Sequence, residues 1–270
     1  MPSRRKTGRT GPDPNALMAR FYDDDYAAAG REEDIGFYSR LAMEIGGPVL
    51  EMGCGSGRNL LAIARAGIPV HGIDSSPAML RVLRDKLRRE PRDVRRRVGL
   101  TLGDIRGTRV AGRHGLVIAP FRVAQHLLRL EDRRAWLRNV AAHLEPSGLL
   151  GFDVLRPEPD LITRPRTVNG AIERTIPGTG QTVVRSVSTR PGAGSGTLEV
   201  QYTWRARRKG RRATGEWRTS LVFHLYTRPE IERLLREQGF EIRAYWGSFE
   251  REPFGPDSSD HVVLAALRAR

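Results

Sequence analysis

The sequence predicts an α/β fold, in which a doubly wound, mostly parallel seven-stranded sheet carries a small antiparallel β insertion that forms a lid. Three observations predict this fold. A glycine-rich turn closes the first apolar run, apolar runs then alternate with helix-period segments to about residue 155, and beyond it the pattern changes to period two. Alternating segments give a parallel sheet covered on both faces, whereas period-two runs give antiparallel hairpins.

The glycine-rich turn lies between the apolar runs 49–52 and 70–74. The two segments read VLEMGCGSGRN and VHGID, the pattern of a strand, a turn with glycine at alternate positions, a helix start, a second strand and a closing acid. Glycine suits the turn because a Cβ would hold a ligand away from the backbone N–H groups. The closing Asp74 suits a ribose, because an ionised carboxylate accepts hydrogen bonds from both hydroxyls. The segment therefore predicts a nucleotide-binding half-site.

The spacing of the glycines indicates which nucleotide binds. A dinucleotide fingerprint needs Gly-x-Gly-x-x-Gly. Counted from Gly53, the third glycine is instead Gly57, and the position that the fingerprint demands holds Arg58. A pyrophosphate is therefore disfavoured.

The core continues as alternating helices and strands. Gly67 ends one helix, and Ser76 is the N-cap of the next, with Pro77 at its first position. Helices are predicted over residues 31–45, 58–66, from 77 onwards and 132–144, and strands over 98–102, 115–119 and 149–154. In such a sheet the ligand binds at the carboxyl ends of the strands.

The period-two region predicts three antiparallel strands after a Pro-rich loop at 156–170. These strands cover 182–189, 198–204 and 216–226, and the basic run 205–212 is the polar tip of a hairpin. A capping box at Thr227 and Glu230 starts the next helix. The expected organisation is a disordered basic arm at 1–15, a core with an N-terminal lid at 16–155, the insertion at 156–226 and the completion of the core sheet at 227–270.

The motif Glu51-x-Gly53-x-Gly55-x-Gly57 resembles the first motif of the class I S-adenosylmethionine (SAM) dependent methyltransferases, whose core is Rossmann-like. The order of elements is similar to this family from about residue 21 to the end. The insertion resembles that of the small-molecule N-methyltransferases acting on glycine or amino sugars, where it roofs the substrate pocket. Tyr22, Tyr26 and Arg31 look like the N-terminal lid of those relatives.

The resemblance implies SAM as cofactor and assigns the residues around it. The glycines let the methionine part and ribose pass close to the backbone, Asp74 holds the ribose hydroxyls, and Asp104 binds the adenine amine. The ring is flanked by Ser75 and Met79 and covered by Ile105. The full set implied at the cofactor is Tyr22, Tyr26, Arg31, Glu51, Gly53, Cys54, Gly55, Gly57, Asn59, Asp74, Ser75, Met79, Asp104, Ile105, Pro120 and Phe121.

His126 is the first candidate for chemistry at the methyl acceptor. It follows the fourth strand, and the unperturbed pKa of imidazole lies near neutrality, which suits a general base for an amine or hydroxyl. His224 is the rival, because it lies with Val222 and Tyr226 on one face of the last insertion strand and could face the same pocket. Enzymes that methylate amines of nucleic-acid bases usually have Asn or Asp where this chain has Ala119, so that chemistry lacks its hydrogen-bond acceptor.

Composition limits the remaining possibilities. The net charge of +15 comes almost entirely from scattered Arg, with Lys at three positions only, so a polyanionic partner is a less favoured alternative to a solvated surface. The single cysteine, Cys54, excludes an intramolecular disulfide and a Cys-cluster metal site, and no metal is expected. Without an apolar run of membrane-spanning length or a signal peptide, the expected location is cytoplasmic.

The leading hypothesis is therefore a SAM-dependent methyltransferase acting on N or O of a small molecule, of secondary-metabolite or amino-sugar type. One alternative is a methyltransferase acting on RNA or another macromolecule. Another is a SAM-binding protein without catalysis. Neither the acceptor nor the oligomeric state follows from the sequence.

Overall fold

The computed structural model describes residues 16–28, 32–156, 163–176, 181–208 and 215–268. Its helices are α1 (Ala16–Ala28), α2 (Glu33–Ile45), α3 (Arg58–Arg65), α4 (Pro77–Leu87), α5 (Arg92–Arg96), a 3-10 helix (Val123–His126), α6 (Leu130–His143) and α7 (Arg228–Glu237). Its strands are β1 (Val49–Met52), β2 (Val70–Asp74), β3 (Val98–Leu102), β4 (His114–Ala119), β5 (Leu144–Leu155), β6 (Arg166–Ile176), β7 (Gln181–Pro191), β8 (Thr197–Arg208), β9 (Gly215–His224), β10 (Phe240–Trp246) and β11 (Asp260–Leu267).

The main sheet has seven strands in the order β3-β2-β1-β4-β5-β11-β10. Strands β1 to β5 are parallel, and β11 is antiparallel to both of its neighbours. The direction of winding reverses between β1 and β4, and in doubly wound sheets the ligand binds outside the carboxyl ends at such a point. The predicted doubly wound, mostly parallel sheet is confirmed.

Two apolar clusters cover the faces of this sheet. On one face Leu50 and Met52 pack with Trp136 of α6 and Leu234 of α7. On the other face Val49 and Leu116 pack against side chains of α2, α3 and α4. The alternation of side chains along β1 explains this division, because successive residues of a strand point to opposite faces. It also directs Glu51 toward the face that α2 and α3 cover.

The insertion is a separate antiparallel sheet in the order β6-β7-β8-β9. Helix α1 lies between this sheet and α4, because Phe21 packs in one buried cluster with Met79, Val183 and Trp204. Stacking of Phe21 on Trp204, with ring centroids 5.1 Å apart, adds to that contact.

The expectation of three insertion strands was wrong, because β6 begins inside the stretch assigned to a Pro-rich loop. The dipeptide Asn169-Gly170 reads as a turn signal, but Gly170 has φ of +62° and lies where the register of β6 shifts between Val168 and Ile172. A bulge of this kind keeps the strand paired while breaking its alternation. Helix α1 was also not predicted; its apolar side chains find their partners only in the folded chain.

Several sequence-based expectations lie outside the described residues, namely the basic arm at 1–15, Arg31 and residues 209–212 of the predicted hairpin tip, whereas residues 205–208 of that tip belong to β8. Within the described ranges, no helix combines the length and the apolar character that crossing a membrane requires.

Candidate active site

The turn after β1 is built on left-handed glycines. Gly53 and Gly57 have φ of +80° and +82°, and the N–H groups of Gly53 and Cys54 both donate to the carbonyl of Ile73, at 2.7 and 3.1 Å. A Cβ on Gly53 would lie 2.6 Å from Val123, and one on Gly57 would lie 2.3 Å from Leu83. Glycine is therefore required at both positions for conformation and for space.

Asp74 holds this turn against the end of β2. Its Oδ2 accepts from the Gly55 N–H at 2.7 Å, and its Oδ1 accepts from the Ser76 N–H at 2.8 Å. The two carboxylate oxygens therefore join the glycine turn to the start of α4. The neighbouring Ser75 is exposed, and the Ser76 hydroxyl caps α4 by accepting from the Met79 N–H.

Glu51 is a buried acid beside the turn. Its Oε2 is buried without a hydrogen-bond partner, and burial, reinforced by Asp34 and Asp74 nearby, raises the pKa of its carboxyl well above the usual range. The pocket beside it is also lined by Tyr22, the residues of the glycine turn, Asn59, Pro120 and Phe121. An unpartnered carboxyl in such a wall fits the ammonium group of a methionine moiety, because a cation would satisfy it and lower its pKa.

Arg58 and Asn59 begin α3 at the rim of this pocket. The Arg58 Nη2 and the Asn59 Nδ2 both donate to the carboxylate of Asp34, at 3.0 and 3.1 Å. The Arg58 guanidinium also lies 5.1 Å from the ring centroid of Tyr26 and 4.7 Å from that of Phe121. These cation–π contacts connect α1, α3 and the segment after β4 above the glycine turn.

Helix α1 is anchored to the core through Asp23. The carboxylate accepts from the Ser56 hydroxyl at 2.6 Å, within the glycine turn, and pairs with Lys86 of α4 at 3.0 Å. Tyr22 and Tyr26, which were predicted at the cofactor, pack edge to face with centroids 4.7 Å apart.

The same helix is anchored to the insertion through Asp25. This buried carboxylate accepts from the Trp204 Nε1 at 2.7 Å and lies 3.3 Å from the Arg174 Nε and 3.5 Å from the Arg185 Nη1. Two neighbouring carboxylates of α1 therefore fix it to both parts of the chain. Sequence reasoning missed Asp23 and Asp25, although three consecutive acids between apolar residues indicated a helix with partners on two sides.

The predicted adenine-binding residues are divided between two environments. Asp104 follows β3, is exposed, and accepts from the Arg106 side chain at 2.9 Å; this hydrogen bond lowers the pKa of the Asp104 carboxyl. Ile105 is partly buried against the core. Met79, in contrast, is buried in the cluster beneath α1, so packing alone accounts for it.

The segment after β4 makes a second left-handed turn. Phe121 and Arg122 have φ of +56° and +68°, a conformation that costs a residue with a Cβ about 1–2 kcal/mol. The carboxylate of Asp153, at the carboxyl end of β5, accepts from both N–H groups, at 2.7 and 3.1 Å. Sequence reasoning missed Asp153, although an acid that ends an apolar strand at the ligand-binding edge was the available signal.

His126 ends the 3-10 helix that follows this turn. Its ring centroid lies 4.8 Å from that of Phe223 in β9. The side chain is exposed, yet crowding by protein atoms lowers the pKa of His126 to about 4. His126 therefore lies where the 3-10 helix meets β9 of the insertion, as a neutral imidazole at pH 7.

The other two candidate bases support that 3-10 helix. The Tyr226 hydroxyl is buried and donates to the carbonyl of Ala124 at 3.0 Å, and burial raises its pKa further above the usual range. The His224 Nε2 lies 2.7 Å from Glu230, and the His224 carbonyl accepts from the Gln125 side chain at 3.0 Å.

A glycine turn at the switch point and an acid after β2, in a seven-stranded sheet with one antiparallel strand, are the features of class I SAM-dependent methyltransferases. Comparison with known proteins agrees. Residues 49–148 match the family described as "Methyltransferase domain". This part of the chain therefore matches a methyltransferase domain, and the resemblance predicted from the motifs is confirmed.

Three proteins resemble most of the chain, one in sequence and two in fold. The cypemycin N-terminal methyltransferase of a Streptomyces species is 27% identical over 223 residues, which are 81% of this chain and 82% of the relative. The structure of the CcbJ methyltransferase from Streptomyces caelestis covers 95% of this chain and 98% of its own at a TM-score of 0.78 and 23% identity. The structure of the SAM-bound amino pentose methyltransferase CalS10 from Micromonospora echinaspora covers 92% of this chain and 96% of its own, at a TM-score of 0.69 and 22% identity.

Proposed function

We propose that this chain methylates an amine nitrogen of a small secondary metabolite, with SAM as the methyl donor. The observation that carries the proposal is the position of His126, which follows the carboxyl end of β4 and contacts Phe223 of the insertion. The relatives favour nitrogen over oxygen, since one is named a cypemycin N-terminal methyltransferase and another an amino pentose methyltransferase.

The residues that line the pocket beside Glu51 fit SAM. Asp74 places a carboxylate at the carboxyl end of β2 beside the glycine turn, which suits a ribose, and the unpartnered Glu51 Oε2 suits the methionine ammonium. When bound, SAM supplies a methyl group activated by its sulfonium, and the protein contributes position and electrostatics. We propose that α1, held by Asp23 and Asp25, is the lid over this pocket.

The roof of the acceptor cleft is apolar. Phe223 faces the 3-10 helix through its contact with His126. Directly paired residues of antiparallel strands share a face, and the pairs Val200–Leu221 and Leu198–Phe223 therefore lie on the same inner face. This face excludes water from the reacting groups and suits an acceptor with an apolar body.

His126 acts by orienting the acceptor. An amine attacks as its neutral form, and a neutral imidazole accepts a hydrogen bond from the amine N–H while the nitrogen lone pair stays directed at the methyl carbon. Because its pKa is lowered to about 4, His126 adds no positive charge beside a sulfonium. The amine proton leaves to solvent after transfer.

The macromolecular alternative has less support. Basic side chains of the insertion are paired across its strands, Arg207 with Glu173 at 2.9 Å, Arg205 with Glu216 at 2.6 Å and Arg190 with Glu199 at 2.8 Å. Positive charge that is already paired contributes little to counterion release on binding RNA.

Mass spectrometry of amine-containing metabolites incubated with the protein and SAM tests the proposal. Matched compounds with hydroxyl in place of the amine, total RNA and a protein extract are the controls. We expect a mass gain of one methylene in amines only. Methylation confined to RNA or protein would instead establish the macromolecular alternative, and SAM binding without any transfer would leave the non-catalytic one.

A further inference from the structure

The turn after β4 is held by a residue outside the predicted site. Phe121 and Arg122 are consecutive non-glycine residues, and both have positive φ. Backbone strain of this kind persists only where surrounding structure over-determines it, and it concentrates at functional sites. Its position between β4 and the 3-10 helix of His126 is such a place.

Asp153 supplies the surrounding structure. Its Oδ1 accepts from the Phe121 N–H at 2.7 Å and from the Tyr38 hydroxyl at 2.8 Å, and its Oδ2 accepts from the Arg122 N–H at 3.1 Å. The residue is 1% exposed. These three partners are uncharged donors, while the Arg122 guanidinium lies 3.5 Å from Asp260. Burying a carboxylate on neutral donors costs stability, which is the opposite of what a purely structural role selects.

The held turn affects both halves of the site. Phe121 lines the pocket beside Glu51 and packs against Tyr26, with centroids 4.7 Å apart. The Arg122 carbonyl accepts from the Gln125 N–H at 2.9 Å, which fixes the start of the 3-10 helix and hence the direction of His126.

We propose that Asp153 is a positioning residue for methyl transfer: by holding Phe121 and Arg122 in left-handed conformation, its carboxylate sets the wall of the cofactor pocket and the orientation of His126. This inference rests on the proposed function of the site. It assigns a role to an acid that touches neither cofactor nor acceptor.

Protonation provides a signature of this role. Burial raises the pKa of Asp153 to about 7, opposed by the Tyr38 hydroxyl, the Arg122 charge and the Phe121 N–H, and reinforced by Asp34 of α2. A protonated carboxyl loses acceptor capacity, so the turn is released as pH falls through 7. Stability changes the other way, because a carboxyl whose pKa is raised on folding stabilises the fold at low pH, and this contribution is lost as pH rises through 7.

Calorimetric titration with S-adenosylhomocysteine between pH 5.5 and 8.5 tests the proposal, with turnover and thermal unfolding measured in parallel. For the wild type we expect affinity to fall at least fivefold below an inflection near pH 7 while the melting temperature does not fall with it. Asp153→Asn should lower affinity about tenfold at pH 8, remove the inflection and leave the protein at least as stable at that pH.

Tyr38→Phe is the matched variant, because it removes one hydrogen bond to the same carboxylate and leaves both backbone N–H donors. Losing that bond should move the inflection to higher pH with little change in affinity above it. If Asp153→Asn does not fold, this shift alone decides the matter. An unmoved inflection in Tyr38→Phe, or unchanged affinity and turnover in a folded Asp153→Asn, overturns the role of Asp153. Absence of binding in the wild type would overturn the proposed function itself.

Discussion

Two left-handed turns border the same pocket, and they reach that conformation by different means. The turn after β1 uses Gly53 and Gly57, for which positive φ has no steric cost. The turn after β4 uses Phe121 and Arg122, which adopt it only because Asp153 accepts from both of their N–H groups. The first turn is determined by its own residues, and the second depends on a residue from another strand.

This difference matches what each turn has to do. A cofactor needs close and unchanging approach to the backbone, which side chains would obstruct. The second turn carries side chains instead: Phe121 lines the pocket, and the 3-10 helix that follows ends at His126, four residues past Arg122. We infer that the conformation of the second turn can be changed by the residues around it, whereas the conformation of the glycine turn cannot.

The largest effect should come from His126 itself. His126→Ala should lower turnover by about 10²-fold, the order expected when a reacting group is misplaced, with little change in SAM affinity, because the proposed role of His126 is to orient the acceptor. Steady-state kinetics with calorimetry measures both. His224→Gln is the control: its imidazole contacts Glu230, so its loss should lower stability and leave turnover within a few-fold. Near-normal turnover in His126→Ala would mean that His126 takes no part in the reaction.

Substitution of a glycine in the turn after β1 should lower both the stability of the protein and its affinity for SAM. Gly57→Ala puts a Cβ 2.3 Å from Leu83 at φ of +82°, whereas Gly67→Ala has φ of +91° with nothing within 4 Å. Both carry the conformational cost of about 1–2 kcal/mol, and Gly57→Ala adds overpacking of about 1–3 kcal/mol. Urea unfolding should show this extra loss. Equal destabilisation of the two variants would mean that the turn is not tightly packed.

Glu51→Gln should raise stability and weaken binding. Because burial raises the pKa of Glu51, its ionised form is costly in the folded protein, and the wild type loses stability as pH rises toward that pKa. At pH 8 the variant should gain roughly 1–3 kcal/mol, the cost of an unpartnered buried group. The gain should vanish below pH 4, where both side chains are neutral. A variant that binds SAM like the wild type would remove Glu51 from the cofactor site.

The smallest effect should come from the anchor of α1. Asp23→Ala removes the contacts with Ser56 and Lys86, and we expect it to weaken S-adenosylhomocysteine binding by about 0.5–1.5 kcal/mol. Asp24→Ala, one residue along, removes only an ion pair with Arg174 and should leave affinity unchanged. Indistinguishable affinities in calorimetry would argue that α1 is not a lid.

What could be predicted from the sequence follows the same division. The glycine turn, Asp74 and the capping residue Ser76 were predicted because their conformations are encoded within a few residues of chain. The turn after β4 could not be predicted, because neither Phe121 nor Arg122 favours positive φ until β5 supplies Asp153.

The insertion shows a similar limit. Its alternating strands were found, but β6 was missed because Gly170 forms a bulge where its sequence indicates a turn. Tyr226 was predicted as a candidate base from its residue type and position, but its hydroxyl donates to the carbonyl of Ala124, which lies in another segment. Chemistry-bearing residue types are visible in a sequence, but their partners are set by tertiary packing.

The most direct test of the account is calorimetric titration of SAM and NAD into the wild type, Asp74→Ala and the control Asp85→Ala, an exposed α4 position paired with Arg88. We predict that SAM binds the wild type and the control alike, that Asp74→Ala loses about 1.5–3 kcal/mol, the range for hydrogen bonds to a charged group, and that NAD does not bind. Tight NAD binding, or SAM affinity that is unchanged in Asp74→Ala, would contradict a cofactor held on the glycine turn.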